Sequence, residues 1–224
     1  MNKFALIGSC AVAIAATTAF VIAQDSKAPP APAQQGQAPD MQLPPGMTEA
    51  DMMACMAAAQ PGEMHQWLAE DVGEWSGPST MWSAPGADPV VSNSSSTVAP
   101  IIGGRFFECK VEGEMPGMGP FEGRCITGFD NVAGNFQVVW MDCMGTGMAI
   151  GTGELSSDKK TLTITYTYTC PMKKGPVTFR EVSTRTDANH QTQQMWMPDP
   201  VTGKEFKMME ISLTRQTKTA AAGR

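Results

Sequence analysis

The chemistry-bearing residues of this chain are mostly sulfur. Cys55, Cys109, Cys125, Cys143 and Cys170 are spread along the chain, and a sixth cysteine, Cys10, lies in an apolar N-terminal run. Cys109 and Cys125 are equidistant from Gly117, so a hairpin turning there sets them opposite each other, within reach of a disulfide. Cys143 and Cys170 are expected at one end of adjacent hairpins as a second candidate bridge, which leaves Cys55 as the odd thiol. Eighteen methionines include Met115-x-x-Met118, Met141-x-x-Met144, Met195-x-Met197 and Met208-Met209, a pattern that could offer thioethers to Cu(I). Met also fills irregular cores and binding cavities, and no tract gathers three ligands locally, so copper is not expected.

The remaining chemistry is sparse. Two histidines, His65 and His190, cannot build an all-histidine metal site, and no metal is expected. No Gly-x-Ser-x-Gly elbow and no Gly-rich phosphate loop ahead of a helix occur in the sequence. Arg105, Arg124 and Asp142 interrupt otherwise apolar strand patterns. Turned inward they need partners or a ligand's polar end, and turned outward they form Arg–carboxylate pairs on a wet face. A net charge of -6 leaves no basic field for a phosphate backbone, so nucleic acid is not an expected partner.

The elements that must position these groups begin with an apolar run from Phe4 to Ile22 after Lys3. With a cut after Ala23, residues 1–23 read as a signal peptide, and the mature protein is expected to be exported, in the periplasm or outside the cell. An uncleaved anchor and a lipid anchor on Cys10 are the alternatives, and membrane contact is expected only through this segment. Residues 24–47, rich in Pro, Ala and Gln, form a linker with too few large apolar groups to order itself. Residues 218–224 read as a flexible tail.

Thr48 with Asp51 sets a helix start, and a short helix follows to about Ala59. After Pro61-Gly62, the spacing of Met64, Trp67, Leu68 and Val72 places them on one face of a second helix within 48–72. Trp67 and Leu68 are expected as a lid on the domain. From residue 73 the period becomes two. In Thr161 to Cys170, Leu162, Ile164, Tyr166, Tyr168 and Cys170 face one way and the threonines the other. Ten such runs, punctuated by Gly, Pro, Asn and Asp, predict an all-β fold over 73–217. It is an antiparallel up-and-down closed β-barrel, because a ten-strand meander must hide its edges, and a short helical segment precedes it.

Gly73-Glu74-Trp75 at the start of the strand region and Arg215 in the last strand resemble the pairing of the calycin superfamily, the lipocalins and their relatives. The resemblance implies that Trp75 plugs the closed end and Arg215 packs across its ring, a cation–π contact of about 0.5 to 2 kcal/mol. Trp75-Ser76-Gly77, Met81-Trp82, Gly103-Gly104-Arg105-Phe106, Phe121-Glu122-Gly123-Arg124, Gly128-Phe129-Asp130-Asn131, Trp140-Met141-Asp142 and Met209-Glu210-Ile211 follow in order. In this the chain is similar to a bacterial family of calycin-like secreted proteins, domain of unknown function fifteen seventy-nine, over roughly 63–216. The resemblance implies a fold and no established activity. Some related barrels hold haem through one histidine, but His190 reads as a turn residue, so no cofactor is expected.

The function expected is binding of a small, largely apolar or amphipathic molecule inside the barrel. Arg105, Arg124, Asp142, Trp140 and Tyr166 are the candidate contacts, and Gly73, Trp75 and Arg215 the structural residues. A filled barrel serving as a structural or interaction module of the cell envelope is the alternative. An enzyme using a buried Arg/Asp cluster ranks third, and the sequence names no protein partner.

Overall fold

A computed structural model describes residues 43–217. The leader expected over 1–23, the tail expected over 218–224 and all but residues 43–47 of the expected linker lie outside the described residues.

Helix α1 (Glu49–Ala58) starts at a reciprocal cap. Asp51 N donates to Thr48 Oγ1 at 3.2 Å while Thr48 N donates to Asp51 Oδ2 at 2.9 Å, which satisfies two backbone donors the first turn leaves free. Helix α2 (Glu63–Ala69) is also capped, with Gly62 N donating to His65 Nδ1 at 3.0 Å. α1 buries nothing, whereas α2 buries His65, Trp67 and Leu68. Burial, with the Arg105 charge nearby, lowers the His65 pKa, so this ring is a neutral cap acceptor.

Ten strands follow: β1 (Gly73–Met81), β2 (Val90–Ile101), β3 (Phe106–Met115), β4 (Gly119–Asp130), β5 (Asn135–Asp142), β6 (Ala149–Leu155), β7 (Thr161–Cys170), β8 (Gly175–Asp187), β9 (His190–Pro198) and β10 (Glu205–Arg215). Each pairs antiparallel with its neighbour in sequence, and β1 pairs with β10, so the barrel closes with no free edge. Arg105 does not open β3. A tight turn over Ile102–Gly104, with left-handed backbone at Ile102 and Gly103, reverses the chain first and leaves Arg105 outside the sheet.

Alternation decides what each strand buries. On β7, Leu162, Ile164 and Tyr166 are buried and face inward, and the threonines between them face out. Inward residues at one end build the main core: Phe107, Phe136 and Val138 pack with Trp67 and Leu68 of α2. Each such side chain, fully buried, contributes about 1.5 to 3 kcal/mol. Trp67 meets Phe136 edge-on at 5.5 Å, Phe136 meets Phe129 at 5.0 Å, and Trp67 Nε1 donates to Lys159 O at 2.9 Å. α2 therefore plugs the end of the barrel where β4 turns into β5 and β6 into β7. Asn131 Nδ2 ties the helix connection down by donating to Ala58 O and Gln60 O, both at 2.8 Å.

Candidate functional site

Above that plug the barrel keeps a cavity of about 950 Å³. Its walls differ in chemistry because the strands that build them differ in their inward residues. The wall made by β3 to β7 is apolar, with Phe107, Val111, Phe121, Trp140, Ile164 and Tyr166 among its lining. Across from it, β1, β2, β8 and β9 present Ser79, Ser94, Ser96, Ser183, Gln191 and Gln193. Methionines gather at the end opposite α2: Met81, Met115, Met144, Met148, Met195 and Met197 line the mouth. Their thioether side chains are flexible and pack against irregular surfaces.

Of the residues singled out from sequence, Trp140, Asp142 and Tyr166 line this cavity. Trp140 Nε1 donates to Asp142 Oδ2 at 2.7 Å, and Asp142 Oδ1 accepts from Met144 N at 2.9 Å. Trp140 can lie across β4 because Gly123 has no side chain, and a Cβ there would stand 2.6 Å from the indole. Phe121 stacks on the same ring at 6.4 Å. Tyr166 stacks on Phe179 at 4.7 Å, with planes 8° apart.

Arg105 and Arg124 are not lumen residues. The Arg105 side chain reaches back to α1, its Nε donating to Ala59 O at 3.0 Å, so it fastens the helices to the barrel. Arg124 shares strand parity with Glu122 and points outward, pairing with Glu108 Oε1 and Glu122 Oε1, each at 3.2 Å. The expected Arg/Asp cluster therefore does not assemble.

The expected disulfides are absent among the described residues, where every cysteine is a free thiol. Cys109 and Cys125 are direct cross-strand partners and both line the cavity. Each is instead turned to a hydroxyl: Cys125 Sγ lies 3.3 Å from Thr127 Oγ1, and Cys109 is hydrogen-bonded to Ser96. Burial pushes the thiol of Cys109 up to about 11 and that of Cys125 up to about 12. Cys143 and Cys170 do lie at one end of adjacent hairpins, β5–β6 and β7–β8, but they form no bridge: Cys143 is exposed and Cys170 buried. β6 separates β5 from β7, and Cys143 accepts from Glu122 N at 3.4 Å.

Trp75 and Arg215 are register partners of β1 and β10, with the guanidinium 4.1 Å over the indole. Arg215 also donates to Val72 O at 2.7 Å, Glu70 O at 2.6 Å and Ala188 O at 3.0 Å. Gly73 sits beside it.

Reasoning from sequence missed the polar groups of β8. Glu181 lines the cavity, where Ser183 Oγ donates to its Oε1 at 2.8 Å and Tyr166 is its second hydrogen-bonding partner. The residue is half-buried and faces the cavity. Burial raises its pKa above the ordinary carboxylate value, against the smaller lowering by Ser183 and Tyr166. The Tyr166 phenol is pushed up by the same burial. Nearer the plug, Arg185 clamps Asp71 with two bonds, Nε to Oδ1 at 2.9 Å and Nη2 to Oδ2 at 2.8 Å. The available signal was the two-residue period Phe179, Glu181, Ser183, Arg185. The opposite parity, Thr178, Arg180, Val182, Thr184, is equally mixed, so hydropathy alone does not say which set faces inward.

The fold and cavity together define a calycin-like barrel plugged at one end. The chain belongs to the family described as "Protein of unknown function (DUF1579)", whose model matches residues 60–215. The crystal structure of Rv2717c from M. tuberculosis is similar, with a TM-score of 0.52 at 17% identity over 70% of this chain and 100% of that one. The S-type phycobiliprotein lyase CPES from Guillardia theta has a TM-score of 0.49 at 10% identity over 70% of this chain and 94% of that one. No curated protein matches the chain.

Proposed function

We propose that this protein is an exported binding barrel that holds a small, largely apolar or amphipathic molecule between the α2 plug and the methionine-lined mouth. One observation carries the reading: an interior of about 950 Å³, apolar on one wall and hydroxyl- and amide-bearing on the other, is large enough for a lipid- or drug-sized guest. Binding rather than covalent catalysis is supported by Cys109 and Cys125, which burial keeps as unreactive thiols. Export rests on the N-terminal sequence.

The test uses N-phenyl-1-naphthylamine, a neutral fluorophore that brightens in apolar surroundings. Saturable, stoichiometric brightening is expected for the wild-type protein, and its loss in Ser94→Trp, which places an indole in the lumen. Brightening that does not saturate, or that survives Ser94→Trp, overturns the reading.

A further inference from the structure

We infer that the lumen is built for a cationic amphiphile whose protonated amino head is held by Glu181, with its apolar tail directed to the methionine-lined mouth. The inference rests on the binding reading above and goes further by fixing the sign of the guest's charge.

The charge inventory of the cavity is one-sided. Asp71, Glu114, Asp142 and Glu181 are its carboxyl groups, and Arg185 is the only cation among the described lining residues. That cation is already committed. Its Nη1 donates to Glu70 Oε2 at 2.9 Å and its Nη2 to Trp67 O at 2.7 Å, in addition to the two bonds to Asp71. A guanidinium has five N–H donors, and four are used, so Arg185 is in no position to receive an anionic head.

Asp142 is likewise engaged, by Trp140 Nε1 and Met144 N, and Asp71 by Arg185, while Glu114 is exposed to solvent at the mouth end of β3. Glu181 is different. Its neighbours in the lumen are the hydroxyls of Ser183 and Tyr166 and the thiols of Cys109 and Cys125, and among the described residues no cationic side chain faces it. A carboxylate offers about four acceptor sites, so two hydroxyl partners leave sites for a donor from a guest. Burial alone favours the protonated carboxyl, and an ammonium beside it supplies the donors and the positive charge that favour the carboxylate, so guest and ionised Glu181 stabilise each other through a charge-assisted bond about twice as strong as a neutral one.

The depth fits as well. Glu181 lies six residues along β8 from its mouth-end start at Gly175, a path of about 20 Å, or about 15 Å along the axis of a tilted barrel. Phe179 and Tyr168 line the way out. A medium-length alkyl chain fills that distance, and the apolar wall accepts it.

The experiment is displacement of N-phenyl-1-naphthylamine by decylammonium, decanol and decanoate at neutral pH. It compares the wild-type protein with Glu181→Gln and with Glu108→Gln, an outer-face control. Decylammonium is expected to bind about tenfold or more tightly than decanoate. Glu181→Gln should lose that preference and keep decanol affinity, while Glu108→Gln changes neither. Equal or tighter binding of decanoate overturns the inference, as does an amine preference that survives Glu181→Gln, and decanol binding then leaves the carrier reading standing. Failure of both the fluorophore and decanol to bind overturns both. The wild-type series decides the charge preference even where Glu181→Gln does not fold.

Discussion

The guanidinium of Arg185 lies 3.6 Å over the ring of Trp67, so one strand residue stacks on the plug helix and at the same time grips Asp71 just beyond it. The arrangement parallels Arg215 over Trp75, two strands away at the same end. Two arginines thus fasten the segment between α2 and β1 to the barrel. Arg185→Leu keeps apolar bulk over Trp67 but leaves the Asp71 carboxylate without its counter-charge, and burial already raises the Asp71 pKa despite Arg185. Breaking a buried pair costs about 3 to 5 kcal/mol, and the residual exposure here brings that to about 2 to 4 kcal/mol. Urea unfolding of wild type and Arg185→Leu should show a loss of this size. Arg185→Lys should recover only part of it, because an ammonium cannot reproduce the two parallel bonds.

Gly73 opens β1 with φ at 139°, a backbone conformation that disfavours any side chain, and a Cβ there would meet Arg215 Nη1 at 2.9 Å. Gly73→Ala therefore strains the backbone and pushes on the Arg215 stack together. A loss of about 1 to 3 kcal/mol is expected in thermal or urea unfolding. An unchanged midpoint would show that β1 can begin elsewhere.

The barrel was legible in the sequence because period-two alternation is strong where one face is dry, as in Leu162, Ile164 and Tyr166 set against their threonines. The plug was legible because Trp67 and Leu68 stand on one face of a short helix. The lumen was harder to read. A cavity wall is neither core nor surface, so its inward residues are polar on β2, β8 and β9 and give no hydropathy contrast. The apolar surroundings of Arg124 leave it readable as a lumen contact or as half of an Arg–carboxylate pair on the wet face, and its pairing with Glu122, which shares its parity, decides for the second. Glu181 does not stand out in the sequence because the opposite face of β8 also carries charge, and only closure of the sheet tells the two faces apart.

Cys109 and Cys125 should behave differently from the exposed Cys55 and Cys143. With thiols pushed up to about 11 and about 12, the thiolate fraction at pH 8 is on the order of one in a thousand or less, and the thiolate is the reacting species. Timed labelling with N-ethylmaleimide, read by peptide mass spectrometry, should modify Cys55 and Cys143 quickly in the folded protein. Cys109 and Cys125 should follow only after denaturation. Fast labelling of either lumen thiol would mean that its surroundings do not hold it in the protonated form.

Glu181 gives the protein a pH dependence of known sign. Burial raises its folded pKa above the ordinary value of 4.5, so between that value and the raised one the folded state holds a proton that the unfolded chain releases. Stability then falls as pH rises through this window, and the cost is fully present above the folded pKa. Below about pH 4.5 the carboxyl is protonated in both states and contributes nothing. Glu181→Gln removes the titration and keeps the shape, and the similarly raised Asp71 is present in both proteins and cancels in the difference. Melting temperatures of wild type and Glu181→Gln, measured without ligand from pH 4 to pH 8, should therefore diverge as pH rises, the variant gaining on wild type. A constant offset across that range would place the Glu181 carboxyl in contact with solvent rather than inside a dry wall.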